Sequence, residues 1–443
     1  MKTNRRSFLK QTAIASTAPF ILPSSIWAAQ TQPNDRPTMG FIGMGRQSHG
    51  LLRGFLQRDV QVLAVCDVDA TRRENAHNIV NEHYGNNPEE GSKGCAAYNA
   101  FREIIERKDI DTVCIMTPDH WHAIQTLAAL RAGKDVYCEK PLTHNIHEAI
   151  TVMRAAEETG LIVQTGSQQR SSQEFRVAAE LVRNGVLGRL SHVDCHFGGP
   201  AIPCDLPEEE MEPGLDWDMW LGPAPMRRYH SDLSPRGIHR HFPAWRQYRE
   251  YATGMIGDWG AHHLDIAQWA LGMDSSGPVE VIPADKEGAS HGAKLVYENG
   301  VSVHHRGGNG IRFHGTNGEI YVNRNNFKLT VNGETISDTV TDSRSTSTAA
   351  EVQKAVRTFL QDAEIRLYES RNHVQNFIDC VESRERPIAD AEIGARTAIC
   401  CHLLSQSYYH HAHMKWDPKK NEFTDGTGNP AWLTREYRGE WDV

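Results

Sequence analysis

"TMGFIGMGRQSHGLLRGFLQRD", residues 38–59, runs from an apolar strand through Gly43-Met44-Gly45 into Leu51, Leu52, Phe55 and Leu56 at helical spacing. A second apolar strand follows in "VQVLAVCDVD", residues 60–69, and closes on Asp67. Strand, glycine turn, helix, strand and acid form a dinucleotide fingerprint. The glycines let the backbone approach a pyrophosphate at a helix N-terminus, and the acid binds ribose hydroxyls. Ser48 stands where the motif has its third glycine. The alternative, an ordinary α/β turn, accounts for the glycines but not for the acid about 20 residues on.

Two more strand and helix units follow in "IDTVCIMTPDHWHAIQTLAALRAGK" (110–134) and "DVYCEKPLTHNIHEAITVMRAAEETG" (135–160), and then the strand "LIVQTG" (161–166). This alternation predicts a doubly wound parallel sheet, in which ligands sit beyond the carboxyl ends of the strands. Thr117, Pro118, Asp119 and His120 lie at one such end, and Glu139, Lys140 and Pro141 at the next. Gly43, Gly45, Arg46, Asp67, Thr117, Pro118, His120, Glu139 and Lys140 are therefore the expected cofactor-binding residues. Lys140 falls where a nicotinamide and its substrate would meet, with Pro141 restricting its backbone. Taken alone, Glu139 and Lys140 read better as a solvated pair before a proline turn.

From about Ser167 the rhythm changes to long polar loops and alternating strands, in "LSHVDCHFGG" (190–199), "AKLVYENGVSVHHRG" (293–307) and "IRFHGTNGEIYVN" (311–323). These predict an α+β domain with a mostly antiparallel sheet. The expected organisation is a Rossmann domain over 38–166 and an α+β domain over 167–443, which carries the substrate and subunit surfaces. Within the second domain, "GMIGDWGAHHLDIAQWALG" (254–272) spaces Asp258, His262, Asp265 and Trp269 along one helix face. That spacing would let Asp258 orient the His262 imidazole as a base.

The chain has 443 residues and a formal net charge of −9, which disfavours nucleic-acid or anionic-membrane partners. Asn4-Arg5-Arg6-Ser7-Phe8-Leu9-Lys10, an apolar run from Ala13 to Ile26, and Ala28 and Ala29 form a twin-arginine export pattern. Residues 1–28 are expected to be a signal, 29–37 a linker, and the mature protein periplasmic. No later stretch reaches the 18 or more apolar residues of a membrane span, so no membrane anchor is expected. The nine cysteines are odd in number. Cys66, Cys114 and Cys138 read as core residues, while pairing of Cys195 with Cys204 is left open. The short histidine clusters lack zinc spacing, and no metal is assigned. "SDTVTDSRSTSTAAE" (337–351) reads as a polar loop.

The glycine turn, the "EKP" at 139–141 and the Asp258-x-x-x-His262-x-x-Asp265 helix together resemble the Gfo/Idh/MocA family, named for glucose-fructose oxidoreductase and inositol dehydrogenase. "LDWDMWLGPAP" (215–225) and "NFIDCVESRERPIAD" (376–390) resemble its exported branch. The resemblance implies a Rossmann domain joined to an open-faced sheet domain, with NAD or NADP bound between. It places catalytic roles on Lys140, His262 as acid/base and Asp258 beside it, and a substrate-side acid on Asp265. Lys140, Gln169, Arg170, Trp245, Asp258, His262 and Asp265 are the expected substrate-binding residues. Asp67 favours NAD, and Arg72 and Arg73 keep NADP open.

The expected reaction is oxidation of a hydroxyl on a sugar or glycoside with a retained cofactor. Two alternatives are redox-assisted glycoside cleavage and a non-catalytic sugar-binding protein. The joint presence of Lys140, Asp258 and His262 weighs against the second. A homo-oligomer, dimer or tetramer, is expected through the open sheet.

Overall fold

The computed structural model describes residues 36–86, 94–341 and 347–443. The expected signal over 1–28, and the expected linker apart from Arg36 and Pro37, lie outside the described residues.

Strands β1 (Thr38–Ile42), β2 (Gln61–Cys66), β3 (Ala96–Tyr98), β4 (Thr112–Ile115), β5 (Asp135–Cys138) and β6 (Val163–Thr165) pair in parallel in the order β3-β2-β1-β4-β5-β6. They are connected through α1 (Ser48–Leu56), α2 (Ala70–Asn86), α3 (Phe101–Ile105), α4 (Asp119–Arg131) and α5 (Ile146–Thr159). Every residue of β2, β4, β5 and β6 is buried, because helices cover both faces. That is the physical reason these strands read as unbroken apolar runs rather than alternating ones. The strand order reverses between β1 and β4, which makes their carboxyl ends the switch point where a doubly wound sheet opens a crevice.

Helix α1 turns Leu51, Leu52, Phe55 and Leu56 inward. Phe55 meets Phe41, Tyr137 and Phe377 edge-on at 5.6, 5.7 and 6.2 Å. Helix α5 is fixed at both ends: the Asn145 side chain accepts from the Glu148 N–H, and Gly160 closes it at a φ of 64°.

The second part of the chain contributes α6 (Gln173–Arg183), β7 (Leu190–His196), α7 (Trp217–Leu221), α8 (Ala261–Leu271), β8 (Glu280–Ile282), β9 (Lys294–Val296) and β10 (Ser302–Arg306). It continues with β11 (Gly310–Gly315), β12 (Gly318–Asn323), β13 (Asn326–Val331), β14 (Glu334–Asp338), α9 (Thr348–Phe359), α10 (His373–Ser383), α11 (Ala391–His410), β15 (Met414–Asp417) and β16 (Glu422–Thr424). Its ten-stranded sheet has the order β14-β13-β12-β11-β7-β10-β9-β8-β15-β16, antiparallel throughout except between β7 and β10. In β13 buried residues strictly alternate with half-buried ones, the period of a sheet with one covered face. The fold is thus an N-terminal Rossmann sheet followed by a mostly antiparallel sheet with one open face.

Pro37–Val443 forms one compact unit despite having two sheets. Helix α10 returns to the first sheet through Phe377 on Phe55, and the C-terminal segment does so through Trp441, 4.7 Å from Trp121, and Arg435, whose Nε donates to Glu148 at 3.0 Å. The described parts of the polar stretch 337–351 include regular structure, which a loop reading did not expect. Ser337 and Asp338 finish β14, and the Ser347 hydroxyl caps α9 by accepting from the Ala350 N–H. All nine cysteines are free, with Cys195 buried in β7 and Cys204 against the Arg227 guanidinium. No helix among the described residues is long and apolar enough to cross a membrane.

Candidate active site

A cleft of about 800 Å³ opens beyond the carboxyl ends of β1, β4 and β5, lined by residues of both parts of the chain. Its outer end is the glycine turn. Gly43 has a φ of +89°, and a Cβ there would lie 2.7 Å from the Thr117 backbone nitrogen, so only glycine can make this turn. At Gly45 nothing lies within 4 Å of a would-be Cβ, leaving the backbone open to the cleft at the start of α1. Ser48 is fully buried and its hydroxyl donates to the Gly45 carbonyl at 2.7 Å, so it braces the turn where the motif has glycine.

Asp67 closes this end. Its carboxylate accepts from the N–H groups of Met44 and Asp69 at 2.6 and 2.7 Å, and burial holds its carboxyl above the usual range against the opposing pull of Arg72. An open glycine turn at a helix N-terminus and a carboxylate at the end of β2 suit the pyrophosphate and ribose of a dinucleotide.

The segment from Ser234 to Gln247 crosses over this end and is tied down by the Rossmann residues. Arg72 donates to the carbonyls of Pro235 and of Gly237, the latter at 3.0 Å. The Gly237 N–H donates to Asp69 at 3.1 Å, and Arg46 Nε donates to the Arg240 carbonyl at 3.0 Å. Arg73 donates to the Asp67 carbonyl at 2.5 Å and to Asn99 at 3.1 Å. Both arginines next to Asp67 are therefore already engaged.

At the inner end Lys140 reaches 118 residues along the chain to Asp258. Its Nζ donates to the Asp258 carbonyl at 2.9 Å and forms an ion pair with the carboxylate. The Lys140–Pro141 peptide is cis. Burial alone would raise the Asp258 carboxyl, but Lys140 and Arg246 hold it below the usual range. Glu139, raised by burial, accepts from Gln168 at 2.8 Å. Burial raises Asp119, at the start of α4, to about 8. Thr117, Pro118, Trp245 and His262 also line the cleft.

The expected Asp258–His262 pairing does not occur. Ile256–Gly260 is a π-helical turn ahead of α8, which breaks the 3.6-residue spacing that would align the two side chains. Asp258 turns to Lys140 instead. Neither ring nitrogen of His262 has a partner among the described residues, and Nδ1 is shut off from solvent. Burial, then Lys140 and Arg324, push its ionisation well below the ordinary imidazole range, which keeps the ring neutral.

Four other expected site residues fall outside the cleft lining. The His120 ring is buried against Trp220 and Tyr251, with Nε2 at 3.0 Å from the Trp220 carbonyl. Arg170 and Asp265 form a buried ion pair, with Nε donating at 2.9 Å to each carboxylate oxygen, and Arg170 also reaches Asp274 at 2.7 Å. Gln169 is buried with both side-chain polar atoms unpartnered. These four were expected to touch ligand; tertiary packing turns their side chains into the interior, outside the cleft lining.

Arg324, Gln168 and Trp259 line the cleft and carried no sequence signal, because the second sheet's hairpin and the segments around it bring them there. Arg246, next to the expected substrate residue Trp245, lines the cleft as well.

Outside the cleft, on the sheet's open face, His192, Asp194 and His314 bring metal-capable atoms within 4.8 Å of one another. The two imidazoles stack at 4.2 Å and 12°, so no point within metal-bonding distance lies in both ring planes, where their lone pairs are directed.

Sequence profiles place this architecture. An oxidoreductase-family profile for the NAD-binding Rossmann fold matches residues 38–167, and one for the family's C-terminal alpha/beta domain matches 203–443, more than half of the chain. A glycosyl hydrolase family 109 protein 2 of Shewanella sp. (strain ANA-3) is 30% identical over 211 residues, covering 44% of this chain and 46% of the relative. The chain thus spans about half the length of that relative. The crystal structure of aldose-aldose oxidoreductase from Caulobacter crescentus complexed with glycerol superposes at a TM-score of 0.57 with 16% identity, over 86% of this chain and 99% of that one. Levoglucosan dehydrogenase in complex with NADH and levoglucosan gives 0.56 and 17%, over 86% and 99%. Glycine turn, strand-end acid, inner lysine and two-domain match agree, and the chain belongs to the Gfo/Idh/MocA family of oxidoreductases, with an NAD-binding Rossmann domain.

Proposed function

We propose that the protein oxidises a hydroxyl-bearing carbon of a sugar or glycoside. The observation that carries this reading is that Lys140 and His262 line the same cleft as the dinucleotide turn. Bound there, NAD supplies the hydride acceptor.

The chain's own residues do the rest. The Gly43–Gly45 turn and the α1 N-terminus take the pyrophosphate, and Asp67 the ribose hydroxyls. Neutral His262 accepts the substrate hydroxyl proton at a ring nitrogen. Lys140 donates to the same oxygen and stabilises the alkoxide charge that develops, and Asp258 holds the ammonium in place. Trp245 and the residues around Lys140 exclude water.

Arg72 and Arg73 are engaged elsewhere, so no spare guanidinium beside Asp67 awaits a 2′-phosphate, and NAD is preferred over NADP. The tied-down segment over the outer end favours a cofactor that stays bound between turnovers. The twin-arginine pattern at Arg5-Arg6 supports export with NAD loaded and a periplasmic location. The open face of the ten-stranded sheet is the surface for a homodimer or tetramer.

The test is a screen of sugars and glycosides for change in nicotinamide absorbance, with purified protein and its co-purifying ligand read by mass spectrometry. Protein with no affinity for NAD or NADP would sink the reading. A second reading, redox-assisted glycoside cleavage, is favoured by the similarity to a glycosyl hydrolase family 109 protein. In it, oxidation of a ring hydroxyl acidifies the adjacent C–H and lets the aglycone leave. Net hydrolysis of an aryl glycoside without added NAD would select it.

A further inference from the structure

The cleft's inner end holds more positive charge than the proposed chemistry uses. Lys140 is matched by Asp258. Arg246 lies over the faces of Trp245 and Phe242, at 4.2 and 4.9 Å, and its Nη1 is shut off from solvent with no hydrogen-bond partner. Its nearest carboxylate oxygen, Asp258 Oδ2, stands 3.9 Å from Nε, within ion-pair reach but too far for a hydrogen bond, while Lys140 holds Oδ1. Arg324, in the turn between β12 and β13, lies over Trp259 at 4.7 Å, with no hydrogen bond or ion pair from its guanidinium among the described residues. Both guanidiniums line the cleft, and burial pulls both below their ordinary ionisation range.

Three cations thus face Asp258 and a Glu139 already satisfied by Gln168, while burial favours the neutral forms of Asp119 and His262. For Arg246 a buried guanidinium edge without a partner is costly, whereas Arg324 is exposed and free to turn to a ligand; the planar fork of each matches a carboxylate through two parallel bonds. A sugar hydroxyl accepts singly and leaves the charge surplus in place. Dinucleotide phosphates have their own donors at the Gly43–Gly45 turn and the α1 N-terminus.

We propose that the substrate carries a carboxylate, as in a uronic acid or its glycoside, held by Arg246 and Arg324 beside the reacting hydroxyl. This rests on the sugar-oxidising reading of the same cleft. Arg246 and Arg324 then determine specificity, while Lys140 and His262 serve the proton.

The test uses the full NAD-loaded protein and matched pairs, a methyl glucoside against the methyl glucuronide and galactose against galacturonate, with sugar phosphates as a third class. Binding is read by calorimetry, and oxidation by nicotinamide absorbance. The uronate of each pair should bind roughly tenfold to a hundredfold more tightly, the scale of hydrogen bonds to a charged group. Arg246→Gln and Arg324→Gln should each lose most of that ratio, through Kd and KM for the uronate more than through kcat. Thermal unfolding confirms that each variant is folded, and the unaltered protein's ratio stands if one is not.

Equal or better binding of the neutral partner, or tighter binding of a sugar phosphate, overturns the carboxylate assignment. Neutral sugars that are oxidised while uronates fail to bind would leave the oxidation reading standing and remove this one. Arginine-dependent uronate binding with no nicotinamide change for any sugar would do the reverse.

Discussion

Asp258 and Asp265 lie seven residues apart, and each carboxylate meets a cation from a distant segment, Lys140 in one case and Arg170 in the other. The two pairs differ in what remains unsatisfied around them. Arg170 and Asp265 have side chains 1% and 0% exposed, and the guanidinium bonds both oxygens of Asp265, both of Asp274 and lies over Trp269. Thr397 adds a further donor to Asp265 at 3.2 Å. Lys140 and Asp258 keep 15% and 23% exposure, face the cleft, and have His262 and Arg246 beside them with donors and acceptors to spare. A closed network holds a fold together; an open one waits for a ligand.

The sharpest way to break this comparison is to remove a partner from the closed pair. Arg170→Ala strands the buried Asp265 carboxylate and should destabilise the protein by about 3–5 kcal/mol, and Asp265→Ala, which leaves Arg170 paired with Asp274, should cost less. Urea unfolding reads this directly. Asp258→Ala, at the open pair, should move the unfolding midpoint far less. Equal midpoints for all three would erase the distinction.

The next largest effect is on turnover. Lys140→Ala and His262→Ala should each lower kcat roughly a hundredfold or more with NAD affinity nearly intact, the scale of a lost acid/base or electrostatic group. The double variant should lose much less than the product of the two, since the groups act as one unit. Ordinary turnover in either single variant would return the open pair to the structural class.

Asp67 is a third kind of buried carboxylate, held by two backbone N–H groups rather than by a salt bridge. Asp67→Ala should weaken NAD roughly tenfold and relax the preference toward NADP, measured by calorimetry with both dinucleotides. An unchanged NAD affinity would make Asp67 a brace for the glycine turn alone.

The smallest effect concerns pH. A base must be neutral to accept a proton, and the His262 environment depresses its ionisation, so activity should persist below the ordinary imidazole value of 6.5. The acid limb of kcat/KM should fall below that value. A limb at or above it would mean that another group, or a protonated His262, limits the reaction.

The first sheet was legible because its signals are local. Unbroken apolar runs mark strands covered on both faces, Gly43 occupies a φ closed to other residues, and Asp67 ends the next strand; all of this lies within 30 residues. "EKP" could be placed at a strand end for the same reason. The second sheet's strands announced themselves by alternation, as in β12 and β13.

What the chain's own order could not settle was which side chains meet. Spacing put Asp258 with His262, and a single π-helical turn overruled it; the resemblance put Asp265 with the substrate, and Arg170 reaches in to pair with it. Lys140 found its partner 118 residues away, and Arg324 arrived on a hairpin of the other sheet. Secondary structure follows from short-range sterics and patterning, and these the sequence states. The satisfaction of buried charge depends on what packing brings within 3 or 4 Å, and only the tertiary structure decides that.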